Sequence, residues 1–224
     1  MKKTKLAARV GIYCVGLFIL SLGVALSINA DLGLSPVSSW PITVHMASGI
    51  GAGFSKTMFL VLCLLVQIAI LGKNFKWIQV TQIIFSFLFG FFLDLAIWII
   101  GDFAIPTYFG QLTMLWMSIL LISTGLAIYL AADLVSLPAE GIIDALMQKY
   151  PALTFQKIKV VKDCILVMLA VATTLIFMGG IYGVREGTVL AALFVGRLAP
   201  PIRRVVEKAL KPAALFEKGE AQIH

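Results

Sequence analysis

The chain has 224 residues, of which 60% are hydrophobic and 13% are charged, and its formal net charge is +7. A soluble domain is usually about 45–50% apolar and about 25% charged, so this composition excludes an ordinary soluble domain and favours a membrane protein. The excess of positive charge does not indicate nucleic acid as a partner. Fifteen of the eighteen Lys and Arg residues fall on the side expected to face the cytoplasm, which is the usual bias of membrane proteins.

Six apolar stretches approach the length that crosses a bilayer, which is roughly 20 residues. They cover residues 8–29, 57–72, 77–100, 111–131, 158–179 and 188–206. The second is short, and the sixth contains Arg197 and two prolines. The first follows a basic N-terminus as a secretory signal would, but its apolar run of about 22 residues exceeds the usual h-region of about 7–15. We therefore expect it to be kept as a span.

A fourteen-residue segment recurs about a hundred positions later in the chain. Residues 23–36 read GVALSINADLGLSP and residues 125–138 read GLAIYLAADLVSLP. At an offset of 102, the identical pairs are Gly23/Gly125, Ala25/Ala127, Ala30/Ala132, Asp31/Asp133, Leu32/Leu134 and Pro36/Pro138. Internal repeats around an interrupted polar segment are a sequence sign of a transporter-type binding site. Each unit comprises a span, a polar segment and two more spans.

Because three crossings is an odd number, the second unit must enter the membrane inverted relative to the first. The charges agree, since Lys56 is predicted outside and its counterpart Lys157 inside. The sequence thus predicts an all-α transmembrane fold, a six-span helical bundle built from two inverted three-span repeats, each with a broken or re-entrant polar helix after its first span. The repeats comprise residues 1–106 and 107–210, and residues 211–224 form a cytoplasmic tail that meets anionic lipid headgroups. Both termini are expected in the cytoplasm.

Two conformations are open for the polar segments, which begin at Pro36 and Pro138. Proline suits the first turn of a helix. In the second segment, Glu140, Asp144 and Gln148 share one face. That pattern fits a helix lying flat in the interface, and it also fits a half-helix that dips into the protein and lines a cavity.

The chain resembles the YczE/YyaS/YitT family of bacterial integral membrane proteins. The resemblance rests on residues 29–36 (NADLGLSP), residues 137–141 (LPAEG) and residues 187–189 (GTV). In the family pattern the second copy carries Gly-Pro-Arg-Asp-Gly, whereas Leu137, Ala139 and Glu140 replace its first, third and fourth residues here. We therefore do not predict, for this chain, a ligand contact of the kind that the family arginine would make. The resemblance implies a protein of the bacterial inner membrane, for which a transport role is assumed.

Ionisable groups at membrane depth cost about 2.5–3.5 kcal/mol on insertion scales, so they are candidates for function. The candidate substrate-binding residues are Asn29, Asp31, Ser35, Ser38, Ser39, Trp40, Asp133, Glu140, Asp144 and Arg197. The candidate coupling or gating residues are Asp94, Asp163 and Arg185. The spacing of Glu140 and Asp144 at i and i+4 places two carboxylates together, where they would attract a cation or share a proton.

Structural roles compete with these functional ones. Asp31 and Asp133 are also suited to capping the helices or turns that follow them. Asp163 follows Lys162 and could form a simple interfacial ion pair with it. Arg197 could extend to the membrane surface, and Trp40 could anchor the chain at the interface.

The sequence favours a secondary transporter that moves a small polar or charged organic solute by alternating access, with coupling to a proton or a sodium ion as an option. The alternative is a ligand-binding subunit or scaffold of a larger membrane complex that does not transport by itself. An intramembrane enzyme is the weakest hypothesis, because no nucleophile–base pair or metal-ligand cluster is recognisable. We expect no enzymatic activity, no metal and no cofactor. The expected partners are a small-molecule substrate and membrane lipid, and a homodimer is compatible with the sequence.

Overall fold

The computed structural model describes residues 2–210, and every regular element in that range is helical. The α-helices are α1 (Lys2–Ala30), α2 (Pro36–Ser48), α3 (Ala52–Leu71), α4 (Gln82–Ile100), α5 (Tyr108–Ala131), α6 (Pro138–Lys149), α7 (Phe155–Met178) and α8 (Glu186–Leu210). Two 3-10 turns, Gly72–Asn74 and Trp77–Thr81, connect α3 to α4. The predicted cytoplasmic tail, residues 211–224, lies outside the described residues.

Within residues 2–210, five helical segments are long and apolar enough to cross a membrane. They are Leu6–Ala30, Ala52–Asn74, Trp77–Ile100, Tyr108–Ala131 and Lys157–Met178. The helix α8 has 25 residues, which is long enough, but its charged second half makes it less apolar than these five. An all-helical membrane protein is therefore confirmed, and the sixth predicted span corresponds to a more polar helix.

The helices α1 and α5 pack antiparallel at the centre of the bundle. A Cβ added to Gly23 would lie 2.7 Å from the backbone nitrogen of Ile122, and one added to Gly125 would overlap the backbone of Leu20. Position 20 is therefore beside position 125 and position 23 beside position 122, so the two helices run in opposite directions. Small residues at a crossing let helix backbones approach closely in lipid.

The remaining helices are arranged in pairs around this centre. The helix α4 packs on α1, and α8 packs on α5. The short helix α2 packs on α7, and the short helix α6 packs on α3. Each short helix therefore contacts a long helix from the other half of the chain, which places the first turns of α2 and α6 in the interior.

The two short helices begin as the repeat predicts. Asp31 and Asp133, just after α1 and α5, have φ angles of 51° and 49°, and this left-handed conformation is more accessible to aspartate than to most residues. Pro36 and Pro138 are the first residues of α2 and α6. Their fixed φ suits a first helical position, where the missing N–H would have no intrahelical partner.

Candidate functional site

A cavity of about 290 Å³ lies between the first turns of α2 and α6, and residues of α1, α3, α4, α5, α7 and α8 also line it. Small-molecule sites usually measure about 300–1,000 Å³, so this cavity suits a small ligand. Most of its wall is apolar. The charged residues that line it are Lys56, Glu140, Lys159, Lys162, Asp163 and Arg203.

Lys56 is the most buried of these charged groups, with 3% of its surface exposed. Its Nζ donates hydrogen bonds to the carbonyl oxygen of Val37 at 2.9 Å and to Oγ of Ser38 at 3.2 Å. No carboxylate among residues 2–210 forms an ion pair with it. Both hydrogen-bond partners are neutral. The rings of Phe59 and Phe89 lie 5.5 and 5.8 Å from Nζ and offset part of the charge. Without a carboxylate at ion-pairing distance, burial of this charge is still costly.

Lys162 makes a matching contact in the second half. Its Nζ donates to the carbonyl oxygen of Ala139 at 3.1 Å, and Ala139 is the counterpart of Val37 at the repeat offset of 102. In both halves, a lysine of the next long helix thus binds the second residue of the proline-led helix. Aligned residues do not reveal this relation, because the repeat pairs Lys56 with Lys157 rather than with Lys162.

Asp163 lies in the cavity wall and is paired with lysine. Its Oδ2 is 2.5 Å from Nζ of Lys159, and its Oδ1 is 3.9 Å from Nζ of Lys162. The ion pair that the sequence offers as the simple role for Asp163 is therefore present, and it forms part of the cavity. Arg203 is likewise paired, with Glu207 at 2.7 Å.

Glu140 projects from the first turn of α6 and lines the cavity. Its Oε2 is buried and accepts no well-formed hydrogen bond from the described residues, although the buried hydroxyl of Tyr129 lies close enough to interact with the carboxyl. Asp144 follows one turn later but does not line the cavity. Partial burial, and secondly the charge of Glu140, raise the pKa of the Asp144 carboxyl. The two carboxylates share a helix face, yet only Glu140 reaches the site.

The first polar segment contributes neutral groups to the same cavity. Ser35 and Ser38 line it. Ser39 is buried behind them, where its hydroxyl donates to the carbonyl oxygen of Pro36 at 2.8 Å. The indole Nε1 of Trp40 is 3.3 Å from Oγ1 of Thr173, so Trp40 joins α2 to α7 outside the cavity wall.

The repeated aspartates lie at opposite ends of the bundle, away from the cavity. The side chain of Asp31 is 72% exposed and that of Asp133 is 79% exposed. Arg185 donates to the backbone carbonyl of Asp31 at 2.7 Å, and its Nη1 is 3.5 Å from the carboxylate. Arg9 binds the backbone carbonyl and the carboxylate of Asp133 in the same manner. Each arginine thus stabilises one of the two left-handed turns through hydrogen bonds to its aspartate.

Three other candidates also lie elsewhere. Asn29 donates to the carbonyl oxygens of Gly101 and Phe103, which places it against the loop after α4. Asp94 accepts a hydrogen bond from the backbone N–H of Gly53 at 2.7 Å and so caps the start of α3. Arg197 is exposed on α8, and Arg203 lines the cavity instead.

Of the thirteen candidates, the cavity brings together Ser35, Ser38, Glu140 and Asp163. It adds four basic residues that were not among the candidates, namely Lys56, Lys159, Lys162 and Arg203. A local signal for the three lysines does exist, because each lies within the first eight residues of a helix that is otherwise mostly apolar. Their convergence could not be read locally, because it depends on how α3 and α7 pack on α2 and α6.

Helices of membrane-spanning length around an internal, partly charged cavity define a multi-pass membrane protein with a small-molecule-sized site. A family model described as a family of unknown function, DUF6198, matches residues 7–204, and the chain belongs to that family. It is 26% identical over 199 residues to YczE, an uncharacterized membrane protein of Bacillus subtilis (strain 168), with 87% of this chain and 85% of that protein covered. The resemblance to the YczE group is thus confirmed. No solved structure matches the chain.

Proposed function

We propose that this protein is a secondary transporter of the bacterial inner membrane, with both termini in the cytoplasm, and that it moves a small polar or charged organic solute by alternating access. The observation that carries the proposal is the central cavity, which holds Lys56 and Glu140 without ion pairs between the two proline-led helices. Charged groups at such depth are expensive and are characteristic of substrate or ion pathways.

The packing supports an inverted repeat. At the repeat offset of 102, Leu20 corresponds to Ile122 and Gly23 corresponds to Gly125. The contact of Gly23 with Ile122 therefore becomes the contact of Gly125 with Leu20 when the halves are exchanged, and both are present. The contact of α1 with α4 likewise corresponds to the contact of α5 with α8. The contact of α2 with α7 corresponds to the contact of α6 with α3. A two-fold axis in the membrane plane would produce this reciprocity, and several transporter folds have such an axis.

The two halves differ at one contact, and this difference supports alternating access. In the first half, Gly53 of α3 lies against Gly90 of α4, and Asp94 holds the start of α3. The repeat is weak in the third span of each unit, where the one pair worth naming is Gly90 and Gly196 on α8, at an offset of 106 rather than 102. A Cβ added to Gly196 would meet only the side chain of Lys159, at 3.9 Å, and the cavity extends into this space. The helices α3 and α4 are thus closely packed, whereas their counterparts α7 and α8 are apart. In a transport cycle, the two pairs would alternate between these arrangements.

The decisive experiment is uptake by proteoliposomes that contain only this purified chain. Candidate solutes would come from a thermal-shift screen of small organic ions on the detergent-solubilised protein. We expect uptake above protein-free liposomes, with a large reduction by Glu140→Gln and little change by the matched control Asp144→Asn, which lies one turn further along α6 outside the cavity. If solutes bind and none is transported without an added partner, the transport proposal fails.

That outcome would favour the second candidate, a ligand-binding subunit of a larger complex. One observation is in its favour: α7 and α8 border the cavity without packing closely on each other. A helix of a partner protein could occupy that space. In that case, uptake would appear only when the partner is reconstituted together with this chain.

A further inference from the structure

We propose that the cavity binds a small zwitterion with an apolar body, of the chemical class of an aliphatic amino acid, with its carboxylate at Lys56 and its ammonium group at Glu140. The inference rests on the proposed function only in using the same cavity. It concerns what is bound, and it can be tested without any transport measurement.

Lys56 supplies the position for the carboxylate. An ammonium group has three N–H donors, and two of those of Lys56 are used by Val37 and Ser38. The third donor is left for a ligand, and the positive charge, which the rings of Phe59 and Phe89 offset only in part, has no ion-pair partner. The first turn of α2, which lines the cavity beside Lys56, adds the positive end of a helix dipole, and such an end favours an anionic group.

Glu140 supplies the position for the ammonium group. An ionised carboxylate can only accept hydrogen bonds. The hydroxyl of Tyr129 is close to this carboxyl, but the buried Oε2 receives no well-formed hydrogen bond within the described chain. Lys162 does not fill that role in this structure: its Nζ donates to Ala139 and lies 3.9 Å from Oδ1 of Asp163, and it forms no ion pair with Glu140. A ligand ammonium group could supply both the missing donor and the missing charge.

The pairing of the other charges determines the charge type of the ligand. Asp163 is shared by two lysines, with Lys159 at 2.5 Å and Lys162 at 3.9 Å, so these three residues carry one excess positive charge. Arg203 is paired with Glu207. One cation and one anion therefore remain without an ion pair among the described cavity residues, namely Lys56 and Glu140. Lys56 and Glu140 attract each other, but they form no ion pair. A simple anion would leave Glu140 without an ion-pair partner and a simple cation would leave Lys56 without one, and each such buried charge is costly. A zwitterion compensates both.

The rest of the wall determines the body of the ligand. Leu20, Val24, Leu60 and Phe89 are among the apolar side chains that line the cavity. These side chains offer no hydrogen-bonding groups, so a polar body would lose its contacts with water without replacement. A cavity of about 290 Å³ has room for a compact aliphatic group between the two charged ends.

Matched ligands test this inference directly. L-Leucine, 4-methylpentanoate and 3-methylbutylamine share one aliphatic body and differ in carrying both charges, only the carboxylate or only the ammonium group. Equivalent sets can be built on valine and norleucine. Isothermal titration on the detergent-purified protein should show at least one zwitterion binding at least tenfold more tightly than both of its singly charged relatives. Equal or tighter binding by a single-charge relative, or no binding by any zwitterion, would overturn the inference.

Two variants test which residue binds the carboxylate of the ligand and which binds its ammonium group. Glu140→Gln should remove the preference for the zwitterion over the relative that carries only the carboxylate. Lys56→Met should remove the preference for the zwitterion over the relative that carries only the ammonium group. Asp144→Asn should leave both preferences unchanged. Glu140→Gln is nearly isosteric, so it remains informative if Lys56→Met does not fold. Zwitterion binding without uptake would refute transport alone, whereas uptake of another solute without zwitterion binding would refute this inference alone.

Discussion

Asp31 and Asp133, separated by 102 positions, share one backbone conformation, with φ angles of 51° and 49°. Among residues 2–210, they are the two non-glycine positions with positive φ. In each case an arginine from a distant part of the chain binds the aspartate carbonyl. This relationship explains why the repeat retains aspartate there: the residue forms a turn between a long helix and a proline-led helix.

The first prediction concerns this left-handed turn. Asp31→Val should lower the free energy of unfolding by about 1–3 kcal/mol, because a β-branched residue is strained at positive φ. Asp31→Asn should have a much smaller effect, because asparagine adopts the same conformation readily. Denaturant unfolding in detergent measures both changes. Equal losses in the two variants would show that the carboxylate, rather than the backbone conformation, is what matters at Asp31.

A second prediction uses two glycines of the same helix. Gly23→Ala places a Cβ 2.7 Å from the backbone of Ile122, so α1 and α5 must separate, at a typical cost of about 1–3 kcal/mol. Gly11→Ala meets no atom within 4 Å and should be neutral or stabilising, because alanine is the better helix former by about 1 kcal/mol. Thermal denaturation of the two variants would compare them. Similar melting temperatures would contradict the close crossing.

The third prediction separates capping from coupling at Asp94. Asp94→Asn weakens the acceptor for the Gly53 amide and removes a negative charge at the start of α3, which should cost about 0.5–2 kcal/mol. Ligand affinity at the cavity should remain unchanged, because Asp94 is not part of its wall. Asp102→Asn, in the loop after α4, serves as the control. Altered affinity with unaltered stability would instead favour the coupling role.

The fourth prediction concerns the attachment of α6 to α3. Gln67 is fully buried, and its Nε2 donates to the carbonyl oxygen of Pro138 at 2.9 Å and to Gln82 at 3.2 Å. Gln67→Leu leaves these acceptors without a donor, at a cost of about 1–3 kcal/mol. The exposed Gln148 on α6 is the control position, and Gln148→Leu should change stability little. Hydrogen exchange of the first turn of α6 should rise in the Gln67 variant only.

The helices and their joints could be predicted from the sequence because local chemistry determines them. Apolar length marks five segments that are confirmed as long apolar helices. The proline at each repeat joint marks the first residue of a short helix, and Pro36 and Pro138 occupy that position. Membership of the YczE-like family also follows from short motifs that lie along the chain.

The composition of the cavity was decided only by tertiary structure. The sequence does not distinguish Lys56 from an ordinary lysine at the membrane interface. None of its neighbours in sequence indicates that α2 will cover it. Its burial arises because α2, α3 and α6 meet, so that Val37 and Glu140 approach from distant segments. Identity between repeats marks conserved backbone geometry at Asp31 and Asp133, whereas burial and charge pairing depend on neighbours that only the folded chain brings together.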